Sequence, residues 1–293
     1  WGTVTYDFLD RPVQNTAPDN SVVTRSYNQP DPPGSSGQPG ETIKVTDPWG
    51  RQRWMRSDAL GRMVEVAEPD PGGDGSLSAG ALFTNYAYDA LDRLVQVNQG
   101  AQTRSFRYDS LGRLTHQKLA ERDAKLNESG AWVEAGQWSD VFTYDKRSNL
   151  TEHVDARGVK TIFKYKDGGG NEDPLNRLLA VEYDKGGSPP HLSVNIPVAP
   201  NVSYAYMTTT PGDKRRVQNV FVDQGMGNET MSYDSEGRLS RVSQTFTGRE
   251  SYPIVTDYIW DSLGRLKENT YPQQYSAGEI RKKVEPAYAR AGR

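Results

Sequence analysis

Apolar positions in this 293-residue chain alternate with polar ones in short runs, and helix-like spacing of three and four is sparse. Tyr86 and Tyr88, Phe106 and Tyr108, Phe142 and Tyr144, and Tyr258 and Trp260 form aromatic pairs two positions apart. Such pairs share one face of an extended strand, where side chains alternate with period two. An aspartate follows each pair directly, at Asp89, Asp109, Asp145 and Asp261.

Aligned on that aspartate, the chain holds ten related units, at Asp7, Asp47, Asp58, Asp89, Asp109, Asp145, Asp155, Asp173, Asp234 and Asp261. Three residues later stand Gly50, Gly61, Gly112, Gly158, Gly237 and Gly264, or Asp10, Asp92 and Asn176; only Ser148 departs. Gly, Asn and Asp are the residues that tolerate a left-handed backbone. An Asp that opens a type I turn, followed at i+3 by a left-handed residue, is the tip of a β-hairpin with a G1 bulge. Pro48 and Pro174 occupy i+1, where this turn favours proline. Arg follows the turn in eight units, at Arg11, Arg51, Arg62, Arg93, Arg113, Arg177, Arg238 and Arg265; Asn149 and Val159 are the exceptions. An Asp and an Arg beside each tip predict ion pairs along stacked hairpins, with Arg over neighbouring Tyr rings. The Leu after each Arg and the later valines (Val95 and Val97, Val64 and Val66) differ in parity. Either a further bulge intervenes, or both sheet faces are partly covered.

Composition agrees with many short strands. Tyr (16) outnumbers Phe (7), Gly (28) and Pro (18) are abundant, and only 34% of residues are hydrophobic. Aromatics at 10% and a net charge of −3 separate the chain from disordered sequences. The balanced charge argues against a nucleic-acid partner. With no cysteine, disulfides, thiolate metal sites and Cys nucleophiles are excluded. No apolar run approaches the ~20 residues of a membrane-spanning helix.

Tandem YDxxGRL at irregular spacing resembles the YD repeat of the Rhs (rearrangement hotspot) family, whose relatives include the C component of insecticidal toxin complexes and the teneurins. The matching segments are YDSLGRL (Tyr108–Leu114), YDSEGRL (Tyr233–Leu239), WDSLGRL (Trp260–Leu266), YDALDRL (Tyr88–Leu94) and YDKRSNL (Tyr144–Leu150). The resemblance implies an all-β fold of tandem antiparallel hairpins in a curved, spiralling strip, part of a shell around a toxic C-terminal cargo. It implies a structural role for Tyr88, Asp89, Arg93, Tyr108, Asp109, Gly112, Arg113, Tyr144, Asp145, Tyr233, Asp234, Gly237, Arg238, Trp260, Asp261, Gly264 and Arg265. It implies partners within a longer parent chain, and a secreted or cell-surface bacterial setting. The family's self-cleavage motif and variable toxin are not found among these residues. The chain starts inside a unit, at Trp1-Gly-Thr-Val-Thr-Tyr-Asp7, without a signal peptide. The expectation is one array over 1–293, a fragment of a larger protein, with loops near 29–40, 68–76, 166–171 and 185–190. A different class of function, a cell-surface module binding glycans or partner proteins, is the alternative.

Irregular unit spacing implies hairpins of differing length. The gap from Asp173 to Asp234 is long enough to hide one or two degenerate hairpins, with Ser203-Tyr-Ala-Tyr206 as a strand. Weak helix signals lie at Leu119–Leu126, stopped by Asn127-Glu-Ser-Gly130, and at Ala277–Val284. No catalytic residue, cofactor or metal site is expected. His116, His153 and His191 lack metal-ligand spacing. Asp70–Ser76 faintly resembles a calcium loop but lacks the alternating oxygen ligands, which favours a Gly-rich turn. Trp49, Trp54, Trp132, Trp138 and Trp260 suit either sugar platforms or cross-strand packing; packing is favoured.

Overall fold

In the computed structural model, residues 1–78, 80–184, 199–207, 216–223, 227–248, 253–272 and 280–288 are described. All the regular elements among them are β-strands. The chain divides into two compact units, Trp1–Val141 and Phe142–Arg293.

The first unit contains β1 (Thr3–Tyr6), β2 (Pro12–Thr16), β3 (Val22–Tyr27), β4 (Glu41–Thr46), β5 (Gln52–Ser57), β6 (Met63–Glu68), β7 (Leu82–Tyr88), β8 (Leu94–Gln99), β9 (Gln102–Tyr108) and β10 (Leu114–Lys118). Each pairs antiparallel with the next in sequence. β11 (Asp140–Tyr144) joins β10 through Asp140 and Val141. The second unit continues with β12 (Leu150–Val154), β13 (Lys160–Lys164), β14 (Ala180–Asp184), β15 (Val202–Tyr206), β16 (Val217–Val222), β17 (Gly227–Tyr233), β18 (Leu239–Thr245), β19 (Ile254–Trp260), β20 (Leu266–Thr270) and β21 (Lys283–Val284). From β12 onward these too form an antiparallel series of neighbours.

The predicted turn chemistry shapes the tips. All ten i+3 residues have positive φ, from 55° at Asn176 to 82° at Gly50, and Ser148 joins them at 67°. The parity puzzle resolves into a further bulge just past the tip. Tyr88 faces Leu94, but Ala87 faces Gln96, so Val95 has no opposite residue. The same shift skips Val13, Val64, Thr115, Gln218, Ser240 and Lys267. One inserted residue exchanges the sheet faces, so apolar residues on either side of it fall out of step while lying on one face. The long gap holds a degenerate hairpin, β15–β16, whose tip lies outside the described residues.

Two loops do more than connect. Segment 29–40, between β3 and β4, and the described residues of segment 69–81, between β6 and β7, pack against the strands. Trp54, Ala67 and Leu77 form a buried cluster there, with Ala81 and Phe83 against it. Beside it Arg56 and Glu65 are buried, their side chains 2% and 1% exposed. Glu65 accepts hydrogen bonds from the Ser36 N–H (2.7 Å) and the Ser35 hydroxyl (2.9 Å), and Asp31 pairs with Arg56. A buried charge is tolerable only with such partners, and here the loop supplies them.

Neither weak helix signal forms a helix among the described residues. Leu126 bridges Trp132 and Trp138. Asn127 builds a hairpin-like turn, its carboxamide oxygen accepting from the N–H groups of Ser129 and Ala131. Backbone bonds that a helix would need are spent on these non-local partners. Ala277–Gly278-Glu279 lies outside the described residues, and Lys283–Val284 at the end of that segment is a strand on β20. Asp167, expected within a loop, makes the full tip: its carboxylate accepts from Gly169 and Asn171, and Gly170 has φ 82°.

Two substitutions test the tips. Gly112 has φ 80° and nothing within 4 Å of where a Cβ would stand, so Gly112→Val introduces backbone strain alone. It should destabilise by about 1–2 kcal/mol in a denaturant melt. Ser148→Gly should stabilise by about 0.5–1 kcal/mol, because it relieves the same strain. Two unchanged melts would contradict the assignment.

Candidate functional site: the clasp between hairpins

The recurrent residues assemble into one repeated contact, first within a tip and then between tips. Asp109 shows the local part. One carboxylate oxygen accepts the N–H groups of Leu111 (2.9 Å) and Arg113 (3.0 Å), and the other accepts Arg113 Nε at 2.6 Å. Asp7, Asp58, Asp89, Asp234 and Asp261 repeat this arrangement. The tip thus satisfies its own backbone and fixes one edge of the guanidinium.

The remaining edge and the flat face of that guanidinium serve the next hairpin. Arg93 lies 5.0 Å from the centre of the Tyr108 ring and donates Nη1 to the Asp109 carbonyl at 2.8 Å. Tyr108 returns a bond, its hydroxyl donating to the Leu94 carbonyl at 2.9 Å. Three contacts therefore close between the Asp89 and Asp109 hairpins. The ring contact recurs for Arg11 over Tyr27, Arg62 over Tyr88, Arg177 over Tyr206, Arg216 over Tyr233 and Arg265 over Tyr288. The returned bond runs from Tyr27 to Pro12, Tyr88 to Met63, Tyr206 to Leu178, Tyr233 to Val217 and Tyr288 to Leu266. Trp260 substitutes its indole N–H, which reaches the Leu239 carbonyl at 2.8 Å, while Arg238 donates to the Asp261 carbonyl at 2.8 Å. The acceptor carbonyls of Pro12, Leu94, Val217, Leu239 and Leu266 belong to residues opposite their own hairpin's aromatic, immediately before the bulge, and Met63 holds the same place opposite Ser57.

Where residues differ, the contact is rebuilt. Asn149, standing where Arg is expected, holds Asp145 at 2.8 Å and exchanges two bonds with Asn176 of the Asp173 tip, at 2.7 and 2.8 Å. Arg62 similarly reaches Asp92, the left-handed residue of the next tip, at 2.7 Å. Val159 has no polar end, and Arg157 takes over Asp155 from two residues away. Gly237 and Gly264 hold left-handed tips at φ 75° and 74°. Tyr144 directly precedes the Asp145 tip, as its place in the repeat requires.

Sequence reasoning found the ring, the acid and the base, but not which hairpins they join. Arg216 and Tyr206, members of a unit without the DxxG signature, were missed; the YxY spacing at Tyr204 and Tyr206 was the available signal. Leucine at the third tip position was also passed over. Leu60, Leu91, Leu111 and Leu263 are all 67% or more exposed.

The other candidates have ordinary surroundings. His116 packs on Trp138 at 5.1 Å and His153 stacks on Phe142 at 4.8 Å; His191 and the loop near 185–190 lie outside the described residues. Asp70 accepts from the Gly72 N–H in a tight turn. Of the five tryptophans considered as sugar platforms, Trp54 and Trp138 are buried, Trp260 is in a clasp, Trp132 carries Lys125 near its ring, and Trp49 is exposed. No helix among the described residues is long and apolar enough to cross a membrane.

The clasp sets the protonation of its members. The Arg113 N–H bonded to Asp109 holds that carboxyl below its ordinary value, helped by the guanidinium, and Arg265 does the same for Asp261. Burial pushes the phenols of Tyr88, Tyr206 and Tyr233 up, which keeps them protonated as donors.

Residues 88–124 match the RHS Repeat family model. The crystal structure of TcdB2-TccC3-TEV is similar to the chain with a TM-score of 0.54 at 13% identity, over 98% of this chain and 16% of that one. The crystal structure of TcdB2-TccC3 aligns with a TM-score of 0.36 at 13% identity, over 100% of this chain and 19% of that one. The structure of the Photorhabdus luminescens Tc holotoxin pore gives 0.35 at 12% identity with the same coverage. The chain thus spans less than a fifth of each of these three chains. No curated protein matches the sequence.

Two predictions follow from the clasp geometry. In a double-mutant cycle of Arg93→Gln and Tyr108→Phe, the single changes should be non-additive by about 0.5–1 kcal/mol; strict additivity would break the link between these hairpins. On acidification, the Asp carboxyls titrate below their unfolded values of about 4, so the folded chain binds fewer protons than the unfolded one. Their stabilisation is complete above about pH 4 and is lost as pH falls through the lower folded values. The melting temperature should hold from neutral pH to about pH 5 and drop below pH 4, less steeply in Asp109→Asn. A loss of stability already complete at pH 5 would contradict this.

Proposed function

We propose that the chain, whose residues 88–124 match the RHS Repeat model and whose fold is similar to that of TcdB2-TccC3-TEV, is a non-enzymatic wall segment of an Rhs-type shell that encloses a C-terminal toxin or other cargo of a large secreted bacterial protein. Its whole length acts as one array, with Tyr88, Asp89, Arg93, Tyr108, Asp109, Gly112, Arg113, Tyr144, Asp145, Tyr233, Asp234, Gly237, Arg238, Trp260, Asp261, Gly264 and Arg265 as the recurring structural set. The observation that carries this reading is the clasp. Base and phenol join hairpin to hairpin, Arg93 through Tyr108 and the Asp109 carbonyl and Tyr108 through the Leu94 carbonyl, while the acid Asp89 holds Arg93 in place within its own tip. Groups used in this way build a wall, and a wall is what containment requires. Its partners are the remaining shell and the cargo of its own parent chain.

Limited proteolysis of the full parent chain tests the reading. The cargo should resist protease in the intact protein, and combined Arg93→Gln and Arg238→Gln should shorten its lifetime by tenfold or more. Cargo cut as fast in the intact chain as in isolation would contradict containment. A specific hit on a glycan array, with the cargo unprotected, would favour a surface-binding module instead.

A further inference from the structure

Beside the Asp58 tip, the first unit holds an open groove of about 1120 Å³. Segment 36–41 lines one side of it and the tip, residues 58–61, another; β6 and β7 complete it through Val64, Asn85 and Tyr86. The sides are fixed by contacts already formed. Buried Glu65 holds Ser36 by its N–H at 2.7 Å and its hydroxyl at 3.0 Å. Gly40 passes so close to β5 that a Cβ there would overlap the Ser57 carbonyl. Asp58 holds the Leu60 N–H at 2.9 Å. The groove is therefore shaped in advance of any ligand, which lowers the cost of binding.

Its lining has a definite chemistry. Pro39, Leu60 and Val64 supply apolar surface, and Leu60 is 70% exposed. A rigid turn thus holds an aliphatic side chain in water, where covering it is favourable. Gln38 and Asn85 add carboxamides, each both donor and acceptor. The charge has one sign. Glu41 and Asp58 line the groove, and no Lys or Arg does so among the described residues. Arg62 is shared between Asp58 and Asp92, and Arg56, behind Ser36, between Asp31 and Glu65, so each arginine leaves one negative charge over. Glu41 is exposed and has no ion pair among the described residues.

We propose that this groove binds an extended peptide segment in which a Lys or Arg stands beside aliphatic residues. Charge complementarity sets the sign of the partner. Its cation meets Glu41, its aliphatic side chains cover Leu60 and Val64, and the carboxamides of Gln38 and Asn85 bond its backbone. A sugar suits the lining less well. Sugar sites stack a ring on an open aromatic face, whereas Tyr86, the aromatic here, is half-buried and the exposed apolar wall is aliphatic. The inference goes beyond the wall reading and does not depend on it, because every lining residue belongs to the first unit.

The probe is the fluorescein-labelled peptide GSLKLSG, titrated onto the 293-residue chain by fluorescence anisotropy, with GSLELSG as its acidic counterpart. Saturable binding of the basic peptide below about 1 mM is expected, weakened by salt, and the acidic one should not saturate. Glu41→Gln and Leu60→Ser should each weaken binding about three- to tenfold. Both residues are exposed, so both variants should melt like the parent. No saturation of the basic peptide by about 1 mM, equal binding of the acidic one, or binding indifferent to either substitution overturns the proposal. Cellotriose that binds with the same dependence on Glu41, while the peptide does not displace it, assigns the groove to a sugar and also overturns it. Either failure leaves the wall reading untouched, because the clasps do not use this groove.

Discussion

A guanidinium shared between two hairpins is the contact on which this structure depends. Arg93 is held edge-on by Asp89 of its own tip and lies face-on against Tyr108 of the next. Only a planar cation with several divergent donors can do both, and lysine, a flexible point charge, would lose one of them. Each clasp is partly exposed, so each contributes modestly. Its importance lies in recurrence: neighbour-to-neighbour terms add along a repeat array in which the buried cluster among the described residues is as small as Trp54, Ala67 and Leu77.

The exceptions show which features the contact requires. Trp260 replaces Tyr because an indole N–H can also reach a carbonyl. Asn149 replaces Arg where Asn176 stands opposite to exchange amide bonds. Ser148 accepts a left-handed backbone at φ 67°, a conformation that its neighbours reserve for Gly, Asp or Asn. What persists is a donor and an acceptor facing each other across hairpins. The bulge keeps that acceptor available, because the carbonyl before Val95 lies where the regular register breaks.

The hairpin tips were legible in the sequence because their causes are local. Asp at i, a left-handed residue at i+3 and an aromatic before them act within a few bonds, and ten tips took the expected backbone. The pairing of Arg with a distant ring was not legible, because units are separated by variable lengths: Arg93 reaches 15 residues to Tyr108, and Arg177 reaches 29 to Tyr206. Segment 29–40 reads from composition as plain loop, yet its serines bind Glu65, which no local rule anticipates inside a strand. Asn127 reads locally as a helix stop, because only the distant partner Trp138 shows where Leu126 spends its backbone. Asp167 carried the tip signature itself, hidden in a glycine run.

The claim that clasps transmit stability between hairpins is tested most directly by native-state hydrogen exchange on Arg93→Gln. Exchange should be faster in both flanking hairpins, Leu82–Gln99 and Gln102–Lys118, with the Asp234 hairpin unaffected. Faster exchange confined to the Asp89 tip would show that hairpins hold together by backbone pairing alone, and would contradict it.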